Sequence, residues 1–172
     1  RPRKPAGLPR WSGHAGGCRF HSLGLKGETV VAPKPNTPYK RADIQAFCGG
    51  EPQTYLPQKN KIILAGCFAV EKMNPDAPYE IQAGNLPKVA QKANLLASQP
   101  STIFPVFLRK SESTTEYYYV GDFKCVRQSK SPQDIAKAEG KSGRKGKLSC
   151  LLYLEPVGRV HQPGIGTFRI EA

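Results

Sequence analysis

An ordered series of apolar segments between residues 95 and 157 constrains the fold of this chain more than any other feature. Residues 103–109 read Ile-Phe-Pro-Val-Phe-Leu-Arg, residues 117–126 read Tyr-Tyr-Tyr-Val-Gly-Asp-Phe-Lys-Cys-Val, and residues 148–154 read Leu-Ser-Cys-Leu-Leu-Tyr-Leu. Apolar residues recurring in such short runs, bounded by polar loops, predict β-strands. We expect these three segments and residues 62–64 to lie in one twisted sheet, with the last two as antiparallel neighbours.

The alternation within these segments also predicts which side chains face the core. In residues 117–126, Tyr117, Tyr119, Gly121, Phe123 and Cys125 are expected on one face, because side chains of a strand alternate between its two faces. The even-numbered residues of the last segment are expected to share a face in the same way.

Two short helices are expected beside the strands. Asn85 is the candidate N-cap of the first, and Pro100 ends it. Ser131 begins a capping-box pattern that starts the second, which Gly140 ends. Residues 18–60 are rich in Pro and Gly and are expected to be irregular. The pattern predicts a mostly β (α+β) fold with an open, curved β-barrel.

The chain of 172 residues is expected to form one domain over residues 18–172, preceded by a basic, flexible arm over residues 1–17. It begins without Met, which we interpret as a domain excised from a longer protein and expect to be monomeric. Five cysteines without a Cys-x-x-Cys pair favour an intracellular protein without a disulfide framework. No apolar run approaches the roughly 18 residues that span a bilayer, so no membrane partner is expected.

The charge of the chain indicates its class of partner. Lys and Arg number 26 against 13 Asp and Glu, a formal net charge of +13. A basic excess of this size over one domain favours a polyanion, and nucleic acid first. The residues expected to contact phosphates lie mainly in the basic stretch at 137–147. They are Lys137, Lys141, Arg144, Lys145 and Lys147, together with Arg109.

A base drawn out of a duplex needs aromatic rings to stack on and polar groups at its edge. The candidates for such a pocket are Phe68, Glu71, Tyr79 and Tyr118. Phe68 and Glu71 follow an apolar run and Gly66, where a loop can bring both side chains against a base. The alternative for Phe68 is an ordinary core position.

Three segments resemble, in the same order, the SET- and RING-associated (SRA) domains, which read methylated cytosine. Residues 61–71, Lys-Ile-Ile-Leu-Ala-Gly-Cys-Phe-Ala-Val-Glu, resemble that family's Leu-Ala-Gly-Gly-Tyr-Glu-Asp-Asp segment. Residues 104–109 resemble its Pro-Val-Arg-Val-Val-Arg strand, and residues 119–126 resemble its Tyr-Asp-Gly-Ile-Tyr-Lys-Val strand. The basic loop and the last strand follow in matching order.

The resemblance implies a PUA-like barrel and a non-catalytic reader of modified double-stranded DNA, nuclear in location. It places Phe68 where a Tyr stacks on the flipped base, and Glu71 where an Asp bonds the cytosine edge. The sequence departs from the family at Cys67, which replaces a Gly, and at Gln82, which falls on the position of a second stacking Tyr.

Two other functions stay open. A PUA-like reader of the YTH kind would hold a methylated RNA base in an aromatic cage. A zinc enzyme would use His14, Cys18 and His21 as ligands, although their spacing matches no standard zinc site. No nucleophile-elbow, His-Glu-x-x-His or P-loop motif is present, so we expect neither enzyme activity nor a cofactor or metal.

Overall fold

The computed structural model describes residues 33–161, in which three helices and seven strands form an α+β fold. In chain order these are α1 (Arg41–Cys48), β1 (Gln58–Lys59), β2 (Ile62–Ile63), β3 (Gly66–Ala69), β4 (Glu80–Gly84), α2 (Pro87–Ala97), β5 (Phe104–Arg109), β6 (Tyr118–Ser129), α3 (Pro132–Ser142) and β7 (Leu148–Pro156). The α+β prediction is confirmed, but the expected count of two helices is wrong.

Five strands form one mixed sheet in the order β3-β5-β6-β7-β4. β3 and β5 are parallel, and the other neighbours are antiparallel, including β6 with β7 as expected. Over the described residues the sheet does not close into a barrel, because β3 and β4 remain its two edges. The expected arm over residues 1–17 and part of the domain predicted over residues 18–172 lie outside this range.

The expectation that residues 62–64 join the main sheet is wrong. β1 and β2 form a separate two-stranded hairpin in which Lys59 pairs with Ile62. Asn60 and Lys61 form its two-residue turn with φ of 54° and 64°, the left-handed geometry of a type I′ turn. This turn folds β2 back onto β1, so the buried strand predicted there begins only at Gly66.

The shared face predicted for residues 117–126 is divided by a bulge. The register with β5 shifts between Val106 and Phe107, so that Tyr119 pairs with Phe107 while Gly121 pairs with Val106. One extra residue in a strand reverses the direction of the side chains beyond it. Tyr117 and Tyr119 therefore pack in a second core with Phe107 and α1. Phe123 and Cys125 instead belong to the main core.

A second irregularity divides the face predicted for residues 148–154. The register between β4 and β7 shifts after Ala83, and Gly84 pairs with Leu148. Leu148 consequently packs with Leu151 and Ala138 of α3 in a third core. The later even-numbered residues, Cys150, Leu152 and Leu154, share the main core as expected.

The helices differ from the prediction at their ends. α1 lies in the stretch predicted to be irregular, where it buries Ile44 against the second core. The N-cap of α2 is Leu86 rather than Asn85, whose amide instead donates to the carbonyl of Gly146. α3 continues past Gly140 to Ser142, and Gly143 ends it with φ 80°, the left-handed conformation that glycine readily adopts.

Candidate functional site

A cavity of about 590 Å³, the first cavity, opens where β3, β4, the start of α2 and the α3–β7 loop meet. Residues from both edge strands of the sheet, from β5, from α2 and from five connecting segments converge there. The lining residues are Tyr55, Cys67, Phe68, Ala69, Met73, Asn74, Gln82, Gly84, Asn85, Leu86, Val89, Arg109, Glu112, Arg144 and Lys147.

Two aromatic rings form the apolar side of the first cavity. Phe68 is 1% exposed and contacts Tyr55 edge-on, with ring centroids 6.3 Å apart. The Tyr55 hydroxyl donates to the carbonyl of Val89 at 2.6 Å, which ties the loop before β1 to α2. Burial raises the pKa of Tyr55, so this hydroxyl stays neutral near pH 7.

The floor of the first cavity is held by a buried amide network. The Asn74 amide donates to the carbonyl of Ala69 at 2.9 Å and accepts from the backbone N–H of Gln82 at 2.7 Å. The Gln82 side chain donates to the carbonyl of Ala138 at 3.0 Å and accepts from the Ser142 hydroxyl at 2.6 Å. These bonds join the turn after β3, strand β4 and helix α3 into one frame.

Arg144 forms the cationic side of the first cavity. Its guanidinium donates to the carbonyls of Met73 and Gln82 at 3.2 and 3.0 Å, so it is held in place rather than free in solvent. Burial lowers the pKa of Arg144, and the Glu112 carboxylate opposes this shift. An arginine remains protonated under such conditions, so a positive charge persists beside the apolar wall.

Of the four expected pocket residues, Phe68 lines the first cavity and the other three lie elsewhere. Glu71 is exposed in the turn after β3. Tyr79 packs on Phe123 with ring centroids 6.1 Å apart, at the main core. Tyr118 is half-buried on β6, where it pairs with Leu108. The structure thus does not bring these four side chains together around one cavity.

The expected phosphate contacts fall into two groups. Arg109, Arg144 and Lys147 line the first cavity, whereas Lys137 and Lys145 are exposed on α3 and the loop after it. The remaining residue, Lys141, forms an ion pair with Asp76 at 2.5 Å, and this pairing raises the Lys141 pKa. The charge of Lys141 is therefore partly compensated within the protein itself.

Most of the lining residues were not predicted from the sequence, and three of them supply features that the proposed site uses. Tyr55 lies between prolines in a stretch without periodicity, so no pattern singles it out. Leu86 is 67% exposed at the first cavity although it precedes an apolar helix face. Glu112 is the carboxylate among the lining residues, and it sits in the β5–β6 loop, where a charged residue is ordinary.

The zinc candidates His14, Cys18 and His21 lie outside the described residues. Within residues 33–161, no group of three or more His, Cys, Asp or Glu side chains is arranged to hold a metal ion. No helix in that range is long and apolar enough to cross a membrane. No protein-family model matches this chain, and no curated protein or solved structure matches it significantly.

Proposed function

We propose that this chain is a non-catalytic reader of modified DNA that binds duplex through its basic residues and takes a rotated-out base into the first cavity. We further propose that the fold is a divergent PUA-like, SRA-like module. The observation that carries the functional proposal is the first cavity itself, in which an apolar wall faces Arg144 in a chain of net charge +13.

The lining of the first cavity suits a base better than a phosphate alone. A base presents an apolar face and a polar edge, and ligand sites of this kind combine apolar walls with a few placed polar groups. Phe68 and Tyr55 supply the apolar wall. Arg144 and Lys147 supply positive charge where the flanking backbone would pass.

Glu112 takes the role that the sequence assigned to Glu71. A carboxylate accepts a hydrogen bond from the exocyclic amine of cytosine, and Glu112 lines the first cavity whereas Glu71 does not. A cytosine-type base is therefore the proposed ligand. Leu86, exposed beside the first cavity, is placed to contact the neighbouring base pair, as apolar residues do in proteins that distort DNA.

The test is to narrow the first cavity without changing the net charge of the protein. In Gly84→Val, the new Cβ lies 3.3 Å from Arg144 Nη2 and 3.7 Å from both the Lys147 carbonyl oxygen and Val89 Cγ1, so Arg144 shifts slightly and the side chain occupies cavity space. Gly140→Val is the matched control, because a Cβ there meets nothing within 4 Å. Duplexes with and without a modified cytosine are compared by fluorescence anisotropy.

Gly84→Val is expected to abolish the preference for the modified duplex and to lower the affinity for plain duplex much less, since the phosphate contacts away from Arg144 remain. Gly140→Val is expected to bind both duplexes as the unmodified protein does. Equal affinities of the unmodified protein for both duplexes would refute base reading. Tighter binding to single-stranded RNA bearing a methylated base would assign the chain to the YTH-like alternative.

A further inference from the structure

A second cavity of about 570 Å³ lies on the other side of a wall made by Tyr55, Cys67 and Arg109, which line both cavities. Its remaining lining is polar and basic, unlike that of the first. These further residues are Lys40, Arg41, Gln53, Thr54, Thr115 and Tyr117.

Arg41 carries unused hydrogen-bonding capacity at the second cavity. Its Nη2 donates to the carbonyls of Glu51 and Thr54 at 2.8 and 3.3 Å, which fixes the guanidinium against the loop after α1. Its Nε and Nη1 are buried and have no partner in the described part of the chain. A guanidinium cannot relieve this deficit by losing its proton.

Arg109, at the end of β5, repeats this arrangement. Its Nη1 donates to the carbonyl of Thr114 at 3.0 Å, and its guanidinium carbon lies 5.3 Å from the centroid of the Tyr117 ring. Its Nε is buried without a partner in residues 33–161. Two positioned arginines thus share one cavity, each with a donor that no described residue satisfies.

Among the described residues, no negative side chain balances these charges at the second cavity. Its lining contains no Asp or Glu, and neither arginine forms an ion pair within the described range. Glu51, whose carbonyl contacts Arg41, directs its carboxylate to Lys92 at 2.7 Å. Burial raises the pKa of the Cys67 thiol to about 12, so Cys67 supplies no thiolate.

We propose that the second cavity is a binding site for one phosphate group, held by Arg41 and Arg109. Phosphate accepts several charge-assisted hydrogen bonds from guanidinium groups, which supplies both the missing counter-charge and the missing acceptors. Burial also raises the pKa of Tyr117, so its hydroxyl stays a neutral donor on the same lining.

The phosphate has two possible sources, a nucleic-acid backbone and free inorganic phosphate. The two cavities share three lining residues and so adjoin, and the phosphate is therefore assigned to the backbone next to a base held in the first cavity. This choice of source rests on the proposed function, whereas phosphate binding by the second cavity does not.

The first experiment uses inorganic phosphate as the probe. The melting temperature is measured as phosphate replaces chloride at constant ionic strength, for the unmodified protein, Arg41→Gln, Arg109→Gln and Arg127→Gln. Arg127 is the control, since it loses the same charge at an exposed position on the ring of Tyr153. Phosphate is expected to raise the melting temperature of the unmodified protein and the control, and of neither cavity variant.

The proposal is overturned if phosphate raises the melting temperature of the unmodified protein no more than chloride does. It is also overturned if phosphate raises the melting temperature of Arg109→Gln as much as that of the control. Should Arg41→Gln fail to fold, Arg41→Lys replaces it and is expected to bind phosphate less tightly, because the fixed fork is lost.

The second experiment separates the sources and the two proposals. Arg41→Gln is expected to weaken duplex binding and to lower the salt slope by about one unit, while preference for the modified base persists. If phosphate stabilises the protein but the protein binds modified and plain duplex equally, the phosphate site is supported and the proposed base-reading function is refuted. If Arg41→Gln keeps the preference for the modified duplex and leaves the salt slope unchanged, the second cavity binds free phosphate rather than the nucleic-acid backbone.

Discussion

Replacement of Asn74 tests whether the buried amide network holds the first cavity together. Asn74 is 5% exposed, and its amide bonds the carbonyl of Ala69 at 2.9 Å and the N–H of Gln82 at 2.7 Å. Asn74→Ala deprives two buried backbone groups of this partner. Each such loss costs about 1–3 kcal/mol, and water entering from the adjoining cavity recovers part of it, so we expect about 2–4 kcal/mol in total.

The assay is urea denaturation followed by far-ultraviolet circular dichroism, with the m-value checked for constancy. Asn94→Ala is the matched control, because Asn94 is exposed and its amide accepts one hydrogen bond from Gln128 at 2.8 Å. Exposed substitutions of this kind change the free energy of unfolding by less than about 0.5 kcal/mol. If Asn74→Ala cost no more than Asn94→Ala, the network would not be what holds the turn after β3 against β4.

Three further outcomes are expected. Lys145→Ala should weaken binding to all duplexes alike and lower the salt slope by about one unit, since Lys145 is exposed and unpaired with any described carboxylate. Unchanged duplex binding at low salt would contradict this. Phe68→Ala should lower the free energy of unfolding by about 3–5 kcal/mol in urea, because the ring is buried; a smaller loss than about 1 kcal/mol would place Phe68 outside the core. Burial favours a higher Glu51 pKa, but hydrogen bonds from Lys92 and Gln58 outweigh it and hold this pKa at about 2, below the ordinary 4.5. The carboxylate therefore stabilises the fold above pH 4.5 and loses this effect as pH falls toward 2. Glu51→Gln should make the melting temperature depend less on pH between pH 5 and 2. If the melting temperatures of the two proteins fell in parallel over this range, the pairing would be refuted.

Phe68 is a poor residue with which to test the pocket, because its side chain has two roles in the structure. From sequence, truncating Phe68 would separate a stacking ring from a core ring. The side chain has both roles in the structure, since it lines the first cavity and packs in the main core. Its loss would destabilise the fold and remove the ring at once, so a change in base preference would have two causes. Gly84 is the better probe, because it lines the same cavity and contributes no side chain to the main core.

The strands of the main sheet were predictable where local periodicity is strong. β5, β6 and β7 and the existence of α2 and α3 follow from patterns that span only a few neighbouring residues. The register shifts within the sheet were not predictable, because each depends on the pairing partner of the strand. The alternation predicted for β6 therefore holds on each side of the bulge but not across it. Tyr117 and Phe123, predicted on one face, lie in different cores.

The sequence by itself determined the basic character of the chain, the order of its main strands and the positions of two helices, since these properties depend on composition and on neighbours in the chain. Tertiary structure alone decided the two cavities. The bonds that frame the first join Tyr55 to Val89 across 34 residues, Gln82 to Ala138 across 56 and Arg144 to Met73 across 71. Periodicity carries information about a residue and its near neighbours, whereas a cavity is lined by groups that become neighbours only when the sheet is assembled.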